Sequence, residues 1–139
     1  MAYWLFKSEP STWSWRQQLE AGAKGTFWNG VRNHLAKQQM IAMQLGDRGF
    51  FYHSNEEKAI VGVVEVIKRY YPDPTDASGK FGMVDVRAVK SLERNVTLAQ
   101  IKAEPRLAEM VLVKNSRLSV QPVTEPEWRI VMALAGEAP

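Results

Sequence analysis

With 139 residues, 45% hydrophobic and 24% charged, the chain is long enough to bury a core as one domain, and its composition excludes disorder as the default state. The absence of cysteine removes disulfides, thiolate nucleophiles and sulfur-bearing zinc sites; His34 and His53 have no carboxylate at ligand spacing, so no metal or other cofactor is expected. Eighteen Lys and Arg against fifteen Asp and Glu leave a net charge of +3 and a pI near 9.3, a mild basic excess that permits nucleic-acid binding without requiring it.

The chain opens on "YWLFK", an apolar-rich strand without the basic leader of a signal peptide. The best apolar stretch, "AIVGVVEVI", is too short to cross a bilayer and carries Glu65, so a monomeric, cytoplasmic protein with no membrane contact is expected. In "KSEP", Glu9 is held extended by Pro10. Ser8 either caps the turn that ends the strand or joins Glu9 in lining a pocket. Ser14 and Gln17 form a capping pair for a short helix ending near Gly22.

In "TFWNGVRNHLAKQQM" the residues after Asn29-Gly30 have helical character, which rejects a hairpin. The spacing predicts a helix from about residues 29–31 to Leu45, stopped by Gly46, with Asn29 as cap and Arg32 and Asn33 in the first turn. Leu35, Ala36, Met40 and Met43 then face the sheet. Trp28 is either ordinary core or, with Arg32 and the helix N-terminus, a grip on a flat ring and an anion. Arg32 could instead pair internally with a carboxylate.

A strand at "RGFFYHS" would put Tyr52 and Ser54 on one side and Phe51 and His53 on the other, with His53 either a hydrogen-bonded structural residue or a general base. "IVGVVEVIKRYY" and "MVDVRAV" are further strands, separated by an exposed loop at "YPDPTDASGKFG". Thr97 and Gln100 cap a helix stapled by Val96 and Ile101 and ended by Pro105. In "RLSVQPV" the apolar Leu118 and Val120 alternate with Arg117, Ser119 and Gln121. That polar row is either the outer side of an edge strand or a set of contacts to a base edge or phosphate. Thr124 and Glu127 box the last helix, Val123 and Trp128 staple it, and Gly136 ends it. The whole reads as one α+β domain over residues 1–139.

Taken in order, "YWLFKSEP", "WNGVRN", "GD" followed by "FYHSN", "IVGVVEV", "YPDPT", "VDVR" and "RLSVQPV" resemble the EVE domain, a PUA-like family. The resemblance implies a PUA-like curved β-barrel of five to six strands with peripheral helices, related to the YTH readers of modified RNA bases. It also implies a pocket for a flipped, modified base in DNA or RNA. Carried over by motif, Trp28 and Tyr52 are aromatic walls and Ser8, Glu9, His53 and Ser54 polar lining. Asn33, Ser119 and Gln121 are contacts at the base edge, and Arg32 and Arg117 contacts to phosphate. The family often has Asp where this chain has Asn29.

A non-enzymatic module that binds nucleic acid carrying a modified base is therefore expected. The alternative is an enzyme acting on a nucleotide or modified nucleobase with Glu9 or His53 as acid or base; the sequence has no Gly-rich phosphate loop and no Ser-His-Asp set to support it. A plain protein-interaction domain is the third reading.

Overall fold

The computed structural model describes residues 1–55 and 57–137. Its strands are β1 (Tyr3–Ser8), β2 (Thr26–Trp28), β3 (Arg48–His53), β4 (Ala59–Pro72), β5 (Gly82–Thr97) and β6 (Val120–Val123). Its helices are α1 (Trp15–Glu20), α2 (His34–Ala42), α3 (Leu98–Ala103), α4 (Val111–Lys114) and α5 (Glu125–Leu134), with 3-10 turns at Gly22–Lys24 and Pro105–Leu107.

The strands form one mixed sheet in the order β2-β5-β4-β3-β1-β6, in which only β1 and β3 run parallel. Four inter-strand steps separate β2 from β1, about 19 Å in a flat sheet. Yet the rings of Phe6 on β1 and Trp28 on β2 lie 5.2 Å apart, edge to face, so the sheet is strongly curled. It does not close into the expected barrel, because β2 and β6 remain its two edges. These edges are only three and four residues long, and aromatic side chains rather than a ladder fill the gap between β2 and β1.

Each side of the sheet carries its own core. One gathers Trp4, Phe6, Trp15, Trp28, Phe51, Val64 and Val84 under α1 and α2, which contribute Trp15, Ala36 and Met40. Gly62 allows this packing, since a Cβ there would meet the Trp15 ring at 2.2 Å. The other gathers Leu5, Phe50, Tyr52, Ile60 and Val63 under α3, α4 and α5. There Trp128 stacks on Phe50 at 4.0 Å and on Tyr3 at 4.4 Å. The caps at Ser14, Thr97 and Thr124 form full capping boxes with Gln17, Gln100 and Glu127, and both staple pairs share the second core.

Two expected elements change. The α2 helix starts at His34, with the Asn33 side chain accepting from the Ala36 amide as its N-cap, and ends at Ala42. Asn29, Arg32 and Asn33 therefore precede the helix, in a segment whose Gly30 has φ +80°, a value an L side chain adopts only with strain. Leu35 is half exposed rather than packed on the sheet. The last strand begins only at Val120, and Arg117 lies in a turn before it, so the expected polar row does not exist. Short β2 and α4 have no counterpart in the sequence reading.

Candidate functional site

A cleft of about 590 Å³ opens at the seam of the curled sheet, between the end of β1 and β2. Lys7, Ser8 and Glu9 line one side, Thr26 to Asn29 the other, and Thr12 and Trp13 the turn between β1 and α1.

Trp28 closes β2 opposite Val84 of β5, and its ring is wedged edge-on against Phe6 and Phe51. Only 7% of it is exposed, so it is both core and cleft wall. Trp13 is half buried beside the same core, its indole N–H donating to the Gln18 side chain at 2.9 Å. Gln18 is itself fully buried and donates to the Val86 carbonyl. Phe27, 53% exposed, alternates to the other side of β2 and forms the rim.

The turn "SEPSTW" is tied to itself. The Glu9 carbonyl accepts from the amides of Thr12 and Trp13, at 2.9 and 3.0 Å, and the Ser8 hydroxyl donates to the Trp13 carbonyl at 2.5 Å. One hydrogen-bonded turn thus carries both Trp13 and the exposed Glu9. Lys7 lines the cleft, but its side chain turns to the other side of the sheet, where the ammonium lies 5.8 Å from the centre of the Tyr52 ring and donates to the Ser116 carbonyl, and burial lowers its pKa from the ordinary lysine value. Sequence reasoning missed Trp13 and Lys7. Lys7 stood in a quoted motif, whereas Trp13 carried no local signal apart from its proximity to "KSEP".

The segment after β2 is anchored by the adjoining β4–β5 hairpin, distant in sequence. Asp73, 2% exposed at the start of the β4–β5 loop, accepts from the Gly30 amide at 2.9 Å and from Arg32 at 3.1 Å through one oxygen. Its other oxygen accepts from the amide and hydroxyl of Thr75, at 2.8 and 2.5 Å. Burial opposes ionisation there, but the hydrogen bonds from Thr75, Gly30 and Arg32 outweigh it and bring the carboxyl down to about 2. Arg32 also donates to Thr75 and to the Val31 carbonyl. It therefore takes the internal pairing, and its cation is already balanced by Asp73.

Of the residues named from sequence, Ser8, Glu9 and Trp28 meet at the cleft. Tyr52 does not: its parity on β3 sends it with Phe50 into the second core, on the opposite side of the sheet from Trp28. His53 is buried under α1, where Nε2 accepts from the Trp15 amide at 2.9 Å and Nδ1 meets Glu57 at 2.7 Å. This pairing fixes the neutral tautomer with its proton on Nδ1 and leaves no ring nitrogen free. Ser54 lies past the end of β3 and donates its amide to Ser8, and Ser119 accepts the Lys7 amide. Gln121 is fully buried, donating to the carbonyls of Asn115 and Leu118. Its Oε1 has no partner among the described residues. Asn33 serves α2 as its cap, and Arg117 is an exposed turn residue beside Ser116.

Among the described residues no group of three or more His, Cys, Asp or Glu is arranged to hold a metal, and no helix is long and apolar enough to cross a membrane.

The EVE domain family profile matches residues 2–134. Thymocyte nuclear protein 1 of chicken is 36% identical, with 99% of this chain and 70% of the relative covered. The human protein of that name is 34% identical, with 99% and 76% covered. The structure superposes on Rpa0253 from Rhodopseudomonas palustris with a TM-score of 0.93 and 63% identity, over 98% of this chain and 94% of that one. It superposes on human THYN1 protein in complex with 5-methylcytosine-containing DNA with a TM-score of 0.93 and 34% identity, over all of both chains. The YTH domain of Zygosaccharomyces rouxii MRB1, solved with N6-methyladenosine RNA, shares the fold at a TM-score of 0.57 and 18% identity, over 99% of this chain and 88% of that one.

Proposed function

The chain belongs to the EVE domain family, and from that premise we propose that it binds nucleic acid carrying a modified base, seating the base in the seam cleft without altering it. The observation that carries this reading is the pairing of the Trp13 and Trp28 rings with the polar groups of Ser8, Glu9 and Asn29 in one cleft. Flat apolar faces beside hydrogen-bonding groups are what an extruded base needs. The human THYN1 protein, which superposes on this chain over the whole of its solved length, was solved in complex with 5-methylcytosine-containing DNA, which supports the reading.

Magnitudes decide the context. Stacking contributes about 1–3 kcal/mol per base, against an extrusion cost of a few kcal/mol, so an unmodified base in an intact duplex gains little net. A buried methyl adds about 0.8 kcal/mol, enough to tip a near balance but not to create strong selectivity alone. Binding should therefore be best in single strands or mismatches. The enzyme reading loses His53, whose ring nitrogens are both engaged away from the cleft.

Titration of fluorescent oligonucleotides carrying one 5-methylcytosine, one cytosine or an abasic position, in single-stranded and duplex form, tests the proposal. Mass spectrometry after long incubation runs beside it. Tighter binding to the modified base with unchanged oligonucleotide mass is expected. Equal affinity for all three positions would overturn the reader, and a mass change would establish the enzyme.

A further inference from the structure

The chain has one Asn-Gly step, Asn29-Gly30, and it lies where the segment after β2 leaves the cleft. Both residues are exposed, and among the described residues the Asn29 side chain has no hydrogen-bond partner. Gly30 has no Cβ, and the space where one would stand is empty. An asparagine followed by glycine is the pair most open to attack by the next backbone nitrogen on the side-chain carbonyl carbon, because nothing on the following residue blocks the approach. The nitrogen that would attack is, however, the one whose N–H donates to Asp73 at 2.9 Å, and Asp73 is 2% exposed. A carboxyl brought down to about 2 is too weak a base to take that proton, and its negative charge disfavours an anionic nitrogen beside it. The hydrogen bond thus keeps the Gly30 nitrogen protonated and engaged.

We propose that Asn29 is a deamidation site gated by the hydrogen bond between Gly30 and Asp73, and that its conversion places a negative charge at the cleft and weakens nucleic-acid binding. When that bond opens, the Gly30 nitrogen bonds to Cγ of Asn29, and the side-chain amide leaves as ammonia, carrying the Gly30 proton with it. Water then opens the cyclic imide at either carbonyl and yields aspartate or isoaspartate. No oxidant or reductant is involved. Either product is an anion at neutral pH where asparagine is neutral. The chemistry stands on the geometry of the anchored segment; only its effect on binding rests on the reading of the cleft as a base pocket.

For the test, the full chain is incubated in mildly alkaline buffer, folded and in urea, while peptide mass mapping follows conversion at Asn29. The folded chain should convert about tenfold or more slowly than the chain in urea, the range of a hydrogen bond to a charged group. Asp73→Asn, which keeps an acceptor without the charge, should convert faster than the wild type, and Asp73→Ala, which keeps neither, faster still. Thr75→Val removes a hydroxyl bond to the other Asp73 oxygen and leaves the Gly30 bond in place, so its rate should match the wild type. Equal rates for the folded and urea-treated wild type would overturn the gate without recourse to any variant. Acceleration by Thr75→Val as large as by Asp73→Asn would overturn it too, by assigning the protection to the stiffness of the loop. For the effect on binding, single-stranded oligonucleotides with 5-methylcytosine or an abasic position are titrated against the wild type and Asn29→Asp. The variant should bind 5-methylcytosine about twofold to fivefold more weakly, the range of one exposed charge, and the loss should shrink with added salt. A wild type that binds both oligonucleotides equally would sink the base-pocket reading, with the mass kinetics still deciding the deamidation site. A wild type that prefers 5-methylcytosine but is matched in affinity by Asn29→Asp would leave that reading standing and overturn the effect of the charge.

Discussion

The two sides of the sheet use the same materials to opposite ends. On one, Tyr3, Phe50 and Trp128 form a closed stack sealed by α5. On the other, Trp28 leans on Phe6 and Phe51 and, with Trp13, borders an open cleft. An aromatic residue becomes a binding wall or a core residue according to what covers it, and the cover is set by where the curled sheet fails to close. The seam leaves Trp13 and Trp28, at the border of that helix-covered group, lining the cleft. That is where a ligand can enter.

The largest expected effect belongs to the closed side. Trp128→Ala removes both stacked contacts and should cost about 3–5 kcal/mol of stability. Urea denaturation measures it, and where the variant is folded its preference among modified bases should match the wild type. A change in base preference at unchanged stability would break the distinction between the two sides. Trp28 stands between the classes: with 7% exposed, Trp28→Ala should lose stability as well as binding, so it is the poorer probe of the cleft.

These differences mark what was legible in the sequence. Capping boxes are local, which is why Ser14, Thr97 and Thr124 and their partners could be read directly. The ordered motifs likewise placed Ser8, Glu9 and Trp28 together before any coordinates. Tyr52 was misplaced because the side to which an alternating strand turns its residues depends on which side of the sheet its neighbours occupy, and Phe50 and Tyr52 turned to the second core. The helix start was misplaced because Asn29 and Asn33 are equally good caps by type, and tertiary anchoring chose between them. That anchor, Asp73, lies 43 residues from Gly30, beyond the reach of any local pattern.

The next effect tests the anchor. Asp73→Asn keeps the shape and removes the charge that accepts from Gly30, Arg32 and Thr75, and should cost about 2 kcal/mol at neutral pH. The sign follows from the depressed carboxyl. With the folded value near 2 and an ordinary value of 3.8, the contribution is complete above about pH 4 and is lost as pH falls through 2. The stability gap between wild type and variant, from urea titrations at pH 7, 4 and 3, should therefore narrow only in the last step. A gap that stays constant through pH 3, or opens on acidification, would show that the carboxylate is not the anchor.

On the open side, Trp13→Ala should weaken binding of a 5-methylcytosine oligonucleotide by about 1–3 kcal/mol, the value of one stacking face. It also strips the Gln18 side chain of its donor, so some stability is lost, but less than in Trp128→Ala, because Trp13 is only half buried. Trp13→Phe separates the two roles: it keeps a ring face while removing the same donor. Binding retained in the phenylalanine variant and lost in the alanine variant identifies a stacking wall. Equal loss in both would assign Trp13 to structure.

The smallest effect distinguishes the two cations proposed for phosphate. Arg32 is bound to Asp73 and Thr75, whereas Arg117 lies exposed in the turn beside Ser116, to which the cleft residue Lys7 is tied. A cation already balanced by a buried carboxylate releases few counterions when a nucleic acid binds; an exposed, unbalanced one releases its share. Arg117→Ala should therefore weaken single-stranded oligonucleotides of every sequence about equally and reduce the slope of log affinity against log salt by about 0.7. Its stability should stay within about 0.5 kcal/mol of the wild type. Arg32→Lys, which keeps the charge beside Asp73 but loses the forked geometry, should leave that slope unchanged. If Arg32→Lys alters the slope and Arg117→Ala does not, the phosphate runs over the Asp73 loop instead of the Ser116 turn, and the strand crosses the cleft in the other direction.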